Sequence, residues 1–214
     1  MIKTLTNILT VSAISYAVFA FGQAAPEFML TWKAANYAPP EYQGRVFPAS
    51  DTKVDVALEL IDNGKLADLS GTEIRWYVNN NSQKSGAGLK NFTFNTDGVR
   101  GDQAVRVVVN GYRGLALEKT ITIPLASPEV VIDGGPNTFR VLSYFFNFGD
   151  VRKAEFTWSA NGAEVAGDPD KPDVLLLDTR NLAPGTEISL EASVKNIFRT
   201  LEAANSLIRF STPQ

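Results

Sequence analysis

Two stretches of this chain, Glu73-Ile74-Arg75-Trp76-Tyr77-Val78 and Glu155-Phe156-Thr157-Trp158-Ser159-Ala160, alternate apolar and polar residues around a central tryptophan. Successive side chains of a strand point to opposite faces, so Ile74, Trp76 and Val78 share one face and Glu73, Arg75 and Tyr77 the other. Phe156, Trp158 and Ala160 make the matching face of the second copy, against Glu155, Thr157 and Ser159. A face that apolar has to lie against a second layer. One large ring on a period-2 strand in each half therefore marks the core of a β-sandwich. With 214 residues, 44% hydrophobic and 20% charged, the chain is long enough for one large or two small domains of that kind.

Alternation runs on through both halves, and helical periodicity is scarce. Phe28, Leu30 and Trp32 alternate in a first candidate strand, and Val54, Val56, Leu58 and Leu60 in a second. After the Trp76 strand come Phe92 and Phe94, then Val105, Val107 and Val109, then Lys119-Thr120-Ile121-Thr122-Ile123. Turn-forming residues separate these runs: Asp62-Asn63-Gly64, Asn79-Asn80-Asn81, Asp97-Gly98 and Asn110-Gly111. The second half repeats the order with Val130 to Ile132, the aromatic-rich run Phe139 to Phe148, the Trp158 strand, Val174 to Leu177, Ile188 to Val194 and Leu207 to Phe210. Asn161-Gly162 after Trp158 is a two-residue hairpin signal. Trp76 and Val107 stand 31 residues apart, and Trp158 and Leu190 stand 32 apart, which predicts that each pair lies on the facing sheets of its sandwich. The two units are bounded as 25–125 and 126–214, joined through Pro124-Leu125-Ala126-Ser127-Pro128. So short a link, flanked by prolines, predicts a semi-rigid rod with limited hinge freedom.

The segment Leu182-Ala183-Pro184-Gly185-Thr186-Glu187-Ile188-Ser189-Leu190 resembles the E–F corner and F strand of bacterial immunoglobulin-like modules of the PKD and fibronectin III-like kind. In those modules a Pro-Gly-Thr corner precedes an alternating strand, and the tryptophan on strand C is similar too. Two departures stand out. Ser189 and Glu191 occupy the region where such modules carry a tyrosine, and Phe148-Gly149-Asp150 is similar to a PKD signature but precedes the Trp strand. The resemblance implies an all-β chain: two tandem immunoglobulin-like β-sandwich domains following an N-terminal signal or anchor helix, in a bacterial exported protein. Modules of this kind serve as spacers, adhesins and binding domains, and the superfold does not choose among them.

Residues 1–24 set the expected address. Lys3 supplies a positive start, Ile8 to Phe21 is uncharged and mostly apolar, and Gly22-Gln23-Ala24 puts small residues before a cleavage point at Ala25. The alternative is an uncleaved anchor, for which the apolar run is short and carries Ser12 and Ser15. Either way the remainder is extracytoplasmic, secreted or at the cell surface, with membrane contact only through residues 1–24 if they are retained. Absences narrow the chemistry further. Without cysteine there is no disulfide, thiolate nucleophile or Cys-bound metal, and without histidine no imidazole acid–base pair or His-bound metal. A net charge of −3 and no basic stripe argue against nucleic acid. No cofactor, no metal and no enzymatic activity are expected.

The longest stretch without a counterpart in the other half is Lys33 to Thr52, with Tyr37, Tyr42, Arg45 and Phe47 as candidate binding residues. Long connections inside compact domains often carry function, and aromatic residues make effective contacts. The plainer alternative folds this segment over a sheet edge, burying Tyr42 and Phe47. Asp168-Pro169-Asp170-Lys171-Pro172-Asp173 places carboxylates in one loop, readable as a calcium loop or, given Lys171 and the lack of EF-hand spacing, as a solvated turn. Arg75, Tyr77 and Arg106 are expected together on an outward sheet face. These readings predict a non-enzymatic structural or adhesive protein acting through protein–protein contacts with other surface or extracellular proteins, or with itself. The alternative is a carbohydrate- or peptide-binding module.

Overall fold

A computed structural model describes residues 25–98, 101–135 and 137–212. The signal or anchor segment, 1–24, lies outside the described residues. The first sandwich contains β1 (Glu27–Ala34), β2 (Lys53–Asp62), β3 (Lys65–Leu66), β4 (Glu73–Val78), β5 (Asn81–Ala87), β6 (Asn91–Asn95), β7 (Gln103–Tyr112) and β8 (Leu115–Ile123). The second contains β9 (Glu129–Gly134), β10 (Thr138–Tyr144), β11 (Ala154–Ala160), β12 (Ala163–Val165), β13 (Val174–Leu176), β14 (Glu187–Asn196) and β15 (Ala203–Ser211). The described residues hold no α-helix, only a 3-10 turn at Val151–Lys153.

Strand order is the same in both halves. In the first, β2 lies between β1 and β6, with the short β3 paired to its end, and the facing sheet runs β5-β4-β7-β8. In the second, β13-β10-β9 faces β12-β11-β14-β15. All ladders are antiparallel. Two immunoglobulin-like sandwiches in tandem, each with a three-strand core sheet against a four-strand sheet, are the result.

The two tryptophan strands sit in those four-strand sheets as β4 and β11. Trp76 is wholly buried and stacks on Phe92 of the opposite sheet at 5.3 Å, while Trp158 retains 2% exposure. One sequence expectation is overturned: Trp76 and Val107 do not lie on facing sheets. They are register partners on the adjacent strands β4 and β7. In the second half the partner of Trp158 is Ala192, not Leu190. Spacing reports that two strands meet, but inward-pointing neighbours in one sheet and residues facing across the core produce the same alternation.

Almost no apolar alternation marks β3 and β5, whereas β12 is the return that the Asn161-Gly162 hairpin signal predicts. All three are hairpin returns. Asn63-Gly64, Asn79-Asn80 and Asn161-Gly162 adopt positive φ at both positions (50° and 73°, 50° and 66°, 52° and 79°), the geometry of a tight two-residue hairpin. Turn chemistry thus creates β5, whose Asn81–Ala87 side chains are nearly all exposed. On the outer face of the same sheet Arg106 lies over the Tyr77 ring at 4.1 Å and pairs with Glu118 at 3.2 Å, while Arg75 reaches Glu73.

Candidate functional site

The segment between β1 and β2 runs from Ala35 to Thr52 at the end of the first sandwich that faces the second. Its own bonds shape it. The Tyr42 amide donates to the Pro39 carbonyl, closing a turn after the Pro39-Pro40 pair, and the Tyr42 hydroxyl reaches the Arg45 carbonyl at 3.2 Å. The Tyr42 ring folds back across Gly44, where any Cβ would collide with the ring and its hydroxyl. Further along, Thr96 anchors the return: its hydroxyl accepts from the Thr52 amide at 2.8 Å and donates to the Ala49 carbonyl at 2.6 Å. The Ala126 amide, in the link between sandwiches, donates to the Pro48 carbonyl at 2.9 Å.

Neither sequence reading of this segment named the neighbour it finds. It docks on the second sandwich, at the chain leaving β10. Tyr37 and Phe146 form an antiparallel bridge: the Tyr37 amide donates to the Phe146 carbonyl at 2.7 Å, and the Phe145 amide donates to the Tyr37 carbonyl at 2.8 Å. The Asn36 side-chain amide donates to the Phe145 carbonyl at 2.7 Å. Asn147 is the polar hub. Its side-chain oxygen accepts from the Thr52 hydroxyl at 2.6 Å and from Asn36 at 3.3 Å, and its amide nitrogen donates to the Ser50 carbonyl at 2.9 Å. Its backbone amide donates to Glu202 at 2.8 Å, tying the hub to the β14–β15 connection. Arg199 pairs with Asp51 at 2.9 Å, and Arg140 lies between Glu41 at 3.4 Å and Asp173 at 3.1 Å.

Aromatic rings fill the joint in two groups. Inside, Tyr37 meets Phe148 at 5.1 Å, and Phe148 stacks on Phe146, in the core of the second sandwich. Burial raises the Tyr37 phenol's pKa, Asp173 and Glu41 add to the rise, and Arg140 offsets part of it. Outside, a half-buried strip crosses from one sandwich to the other: Trp32 to Phe47 at 6.1 Å, Phe47 to Phe145 at 6.0 Å, Phe145 to Tyr42 at 6.1 Å and Tyr42 to Tyr144 at 5.5 Å. Arg45, exposed, lies over the Trp32 ring at 4.9 Å.

The structure therefore brings Tyr42, Arg45 and Phe47 together on the strip and puts Tyr37 inside the joint, half-buried. Sequence reasoning missed their partners: Trp32 and Phe145 read as strand residues, and Asn36 and Asn147 carried no signal. Phe145 is the least foreseeable, because its φ is 62°, a left-handed conformation that a bulky side chain seldom adopts. Its amide and carbonyl are both bonded to the first sandwich, and those bonds hold it there.

On the other flank of the joint a groove of about 520 Å³ is lined by Ser50, Asp51, Pro128, Asn147, Phe198 and Leu201. Elsewhere the Asp168 carboxylate accepts from the Asp170 and Lys171 amides, closing its own turn, while Asp173 is engaged by Arg140. Among the described residues no group of three or more acidic, histidine or cysteine side chains is placed to hold a metal ion. Half-buried rings, a few ion pairs and a polar hub make a surface suited to contact.

No protein-family model matches the chain, and no curated protein does. Among solved structures it is similar to fibronectin(III)-like modules of Clostridium thermocellum CbhA, at 10% identity over 87% of this chain and 95% of that one, with a TM-score of 0.30. It is also similar to three N-terminal domains of the bacteriophage RB49 highly immunogenic outer capsid protein, at 13% identity over 88% and 70%, TM-score 0.33. A third likeness is to the Bacteroides ovatus SGBP-B of a mixed-linkage glucan utilization locus, solved with a mixed-linkage heptasaccharide, at 12% identity over 87% and 47%, TM-score 0.29. Strand order and register define the fold.

Proposed function

We propose that this chain is an exported, non-enzymatic structural or adhesive protein that works at the cell surface or in an extracellular assembly through protein–protein contacts. The observation that carries the reading is the outer strip of rings, Trp32, Phe47, Phe145, Tyr42 and Tyr144, supplied by both sandwiches and left half-buried where they meet. Aromatic residues flanked by an exposed arginine are the side chains enriched in protein contact sites. Lys3 and the apolar run Ile8 to Phe21 support export. Tyr42, Arg45 and Phe47 are the proposed contact residues, and Tyr37 serves them from within by holding the joint.

The test sets a glycan array beside surface proteins from the source cell, using the full chain and its Tyr42→Ser and Phe47→Ser variants. Saturable protein binding that both substitutions abolish, with folding unchanged by circular dichroism, is the expected result. Specific glycan recognition without protein binding would instead establish the carbohydrate-binding reading. Protein binding untouched by either substitution would move the contact surface elsewhere.

A further inference from the structure

Beside the strip lies a hollow of about 250 Å³ bounded by Tyr42, Tyr144, Phe145, Val131 and Glu129. We propose that it receives an arginine side chain of a partner protein. This rests on the reading of the chain as a protein-contact module and adds the chemistry of one contact.

Both sandwiches build the hollow. Glu129 on β9 is the register partner of Tyr144 on β10, so their side chains stand next to each other on the outer face of that sheet, with Val131 one step along. The first sandwich adds the Tyr42 ring, and Phe145 closes the side toward the joint. The three rings are mutually tilted, at 72° for Tyr42 and Tyr144, 82° for Tyr42 and Phe145, and 50° for Tyr144 and Phe145. No flat platform for a sugar ring results. Instead, ring faces carrying negative potential turn in different directions around one small space.

Charge selects among apolar occupants. Glu129 makes no ion pair or side-chain hydrogen bond among the described residues, although it lines an aromatic hollow. Glu41 precedes Tyr42 in the chain and pairs with Arg140, and Asp133 is the register partner of Arg140 further along the same face. Of the nearby bases, Arg140 is already shared between Glu41 and Asp173, and Arg45 lies over the Trp32 ring. Burial first, then the Glu41 and Glu129 carboxylates, push the Tyr144 phenol up, so their field reaches the ring. A proline-rich segment would use the rings and leave Glu129 unmatched, and an anion would be repelled. A guanidinium satisfies both features, because its flat face stacks on aromatic rings while its edge donates in a fork to a carboxylate. Phe145, kept at φ 62° by the first sandwich, is the positioning residue for this arrangement.

The test is an NMR titration of the full chain with N-acetyl-arginine amide, with N-acetyl-citrulline amide as the uncharged probe of the same shape and choline as a cation without a fork. The expected result is selective shifts of the Tyr42, Tyr144 and Phe145 ring resonances with the arginine probe. Binding of citrulline, and of arginine to Glu129→Gln, should be weaker by about tenfold or more. Glu129 is exposed, so Glu129→Gln should keep the amide spectrum of the parent. Equal response to citrulline, a stronger response to choline, or shifts confined to other residues would each overturn the proposal. If Glu129→Gln leaves partner binding intact while Tyr42→Ser abolishes it, the arginine inference alone falls. If neither substitution matters, the contact strip falls with it.

Discussion

Trp76 and Trp158 share a feature beyond burial. The Trp76 indole N–H donates to the Leu89 carbonyl at 2.8 Å and the Trp158 indole to the Pro172 carbonyl at 3.2 Å, each acceptor lying just before its half's next core strand, β6 or β13. Each ring thus fills the core and pins the loop that delivers that strand. Trp76→Ala and Trp158→Ala should each cost about 3–5 kcal/mol in urea unfolding. Trp76→Phe adds the loss of one hydrogen bond, about 1 kcal/mol, to a smaller packing loss. A cost below about 1 kcal/mol for either alanine variant would remove the ring from the core account. The rings and their inward direction were legible from alternation alone. Their acceptors were not, because a backbone carbonyl carries no residue-type signal. Asn147 is the converse case: one polar residue in an aromatic run, unreadable until its partners Asn36, Ser50 and Thr52 appear. Asn147→Ala leaves those groups without their partner and should destabilise the protein by about 1–3 kcal/mol.

At the scale of elements, turn residues and strand residues were legible to different degrees. Alternation located β1, β2, β4, β7, β11 and β14, and residue composition marked β8 and β10, whereas the edge return β5 exists through Asn79-Asn80 and was passed over. The Pro184-Gly185 corner was readable too, with Gly185 at φ 77°. In place of a tyrosine, threonines secure it: the Thr212 hydroxyl donates to the Ala183 carbonyl at 2.8 Å and accepts from the Thr186 amide at 2.9 Å. Two elements invite direct checks. In the Ala35–Thr52 segment, Gly44→Ala would drive the Tyr42 ring off its seat, and the expected outcome is loss of the nuclear Overhauser contacts between Tyr42 and Tyr144 with the core unchanged. At the 3-10 turn, Asp150 caps the Arg152 amide, and the side-chain and backbone hydrogen bonds from Arg152 hold its carboxyl down at about 2. A depressed carboxylate contributes above its unfolded value and is lost as pH falls through the folded one. The Arg152 amide shift should accordingly titrate near pH 2; a midpoint near the ordinary 3.8 would mean that the cap is absent.

For the whole molecule, the short proline-flanked link implied limited hinge freedom, but a short link alone still permits bending. Contacts that no local reading reaches tie the two sandwiches together, and they predict a stiff joint. Asn36 and Phe145 are 109 residues apart in sequence, and nothing in the pattern of either half pairs them. Tyr37 gives this scale a pH dependence. Its phenol is raised above 10.0 by burial in the joint, so its contribution is fully present below pH 10 and is lost as pH rises through the higher folded value. Tyr37→Phe should abolish that alkaline loss while leaving the fold intact.

Residual dipolar couplings from the full chain in a dilute aligning medium test the joint most directly. Couplings from β1–β8 and β9–β15 should fit one common alignment tensor, and Asn147→Ala should begin to separate them. Two tensors of different magnitude in the parent protein would mean that the sandwiches move independently, contradicting both the locked joint and the ring strip built across it.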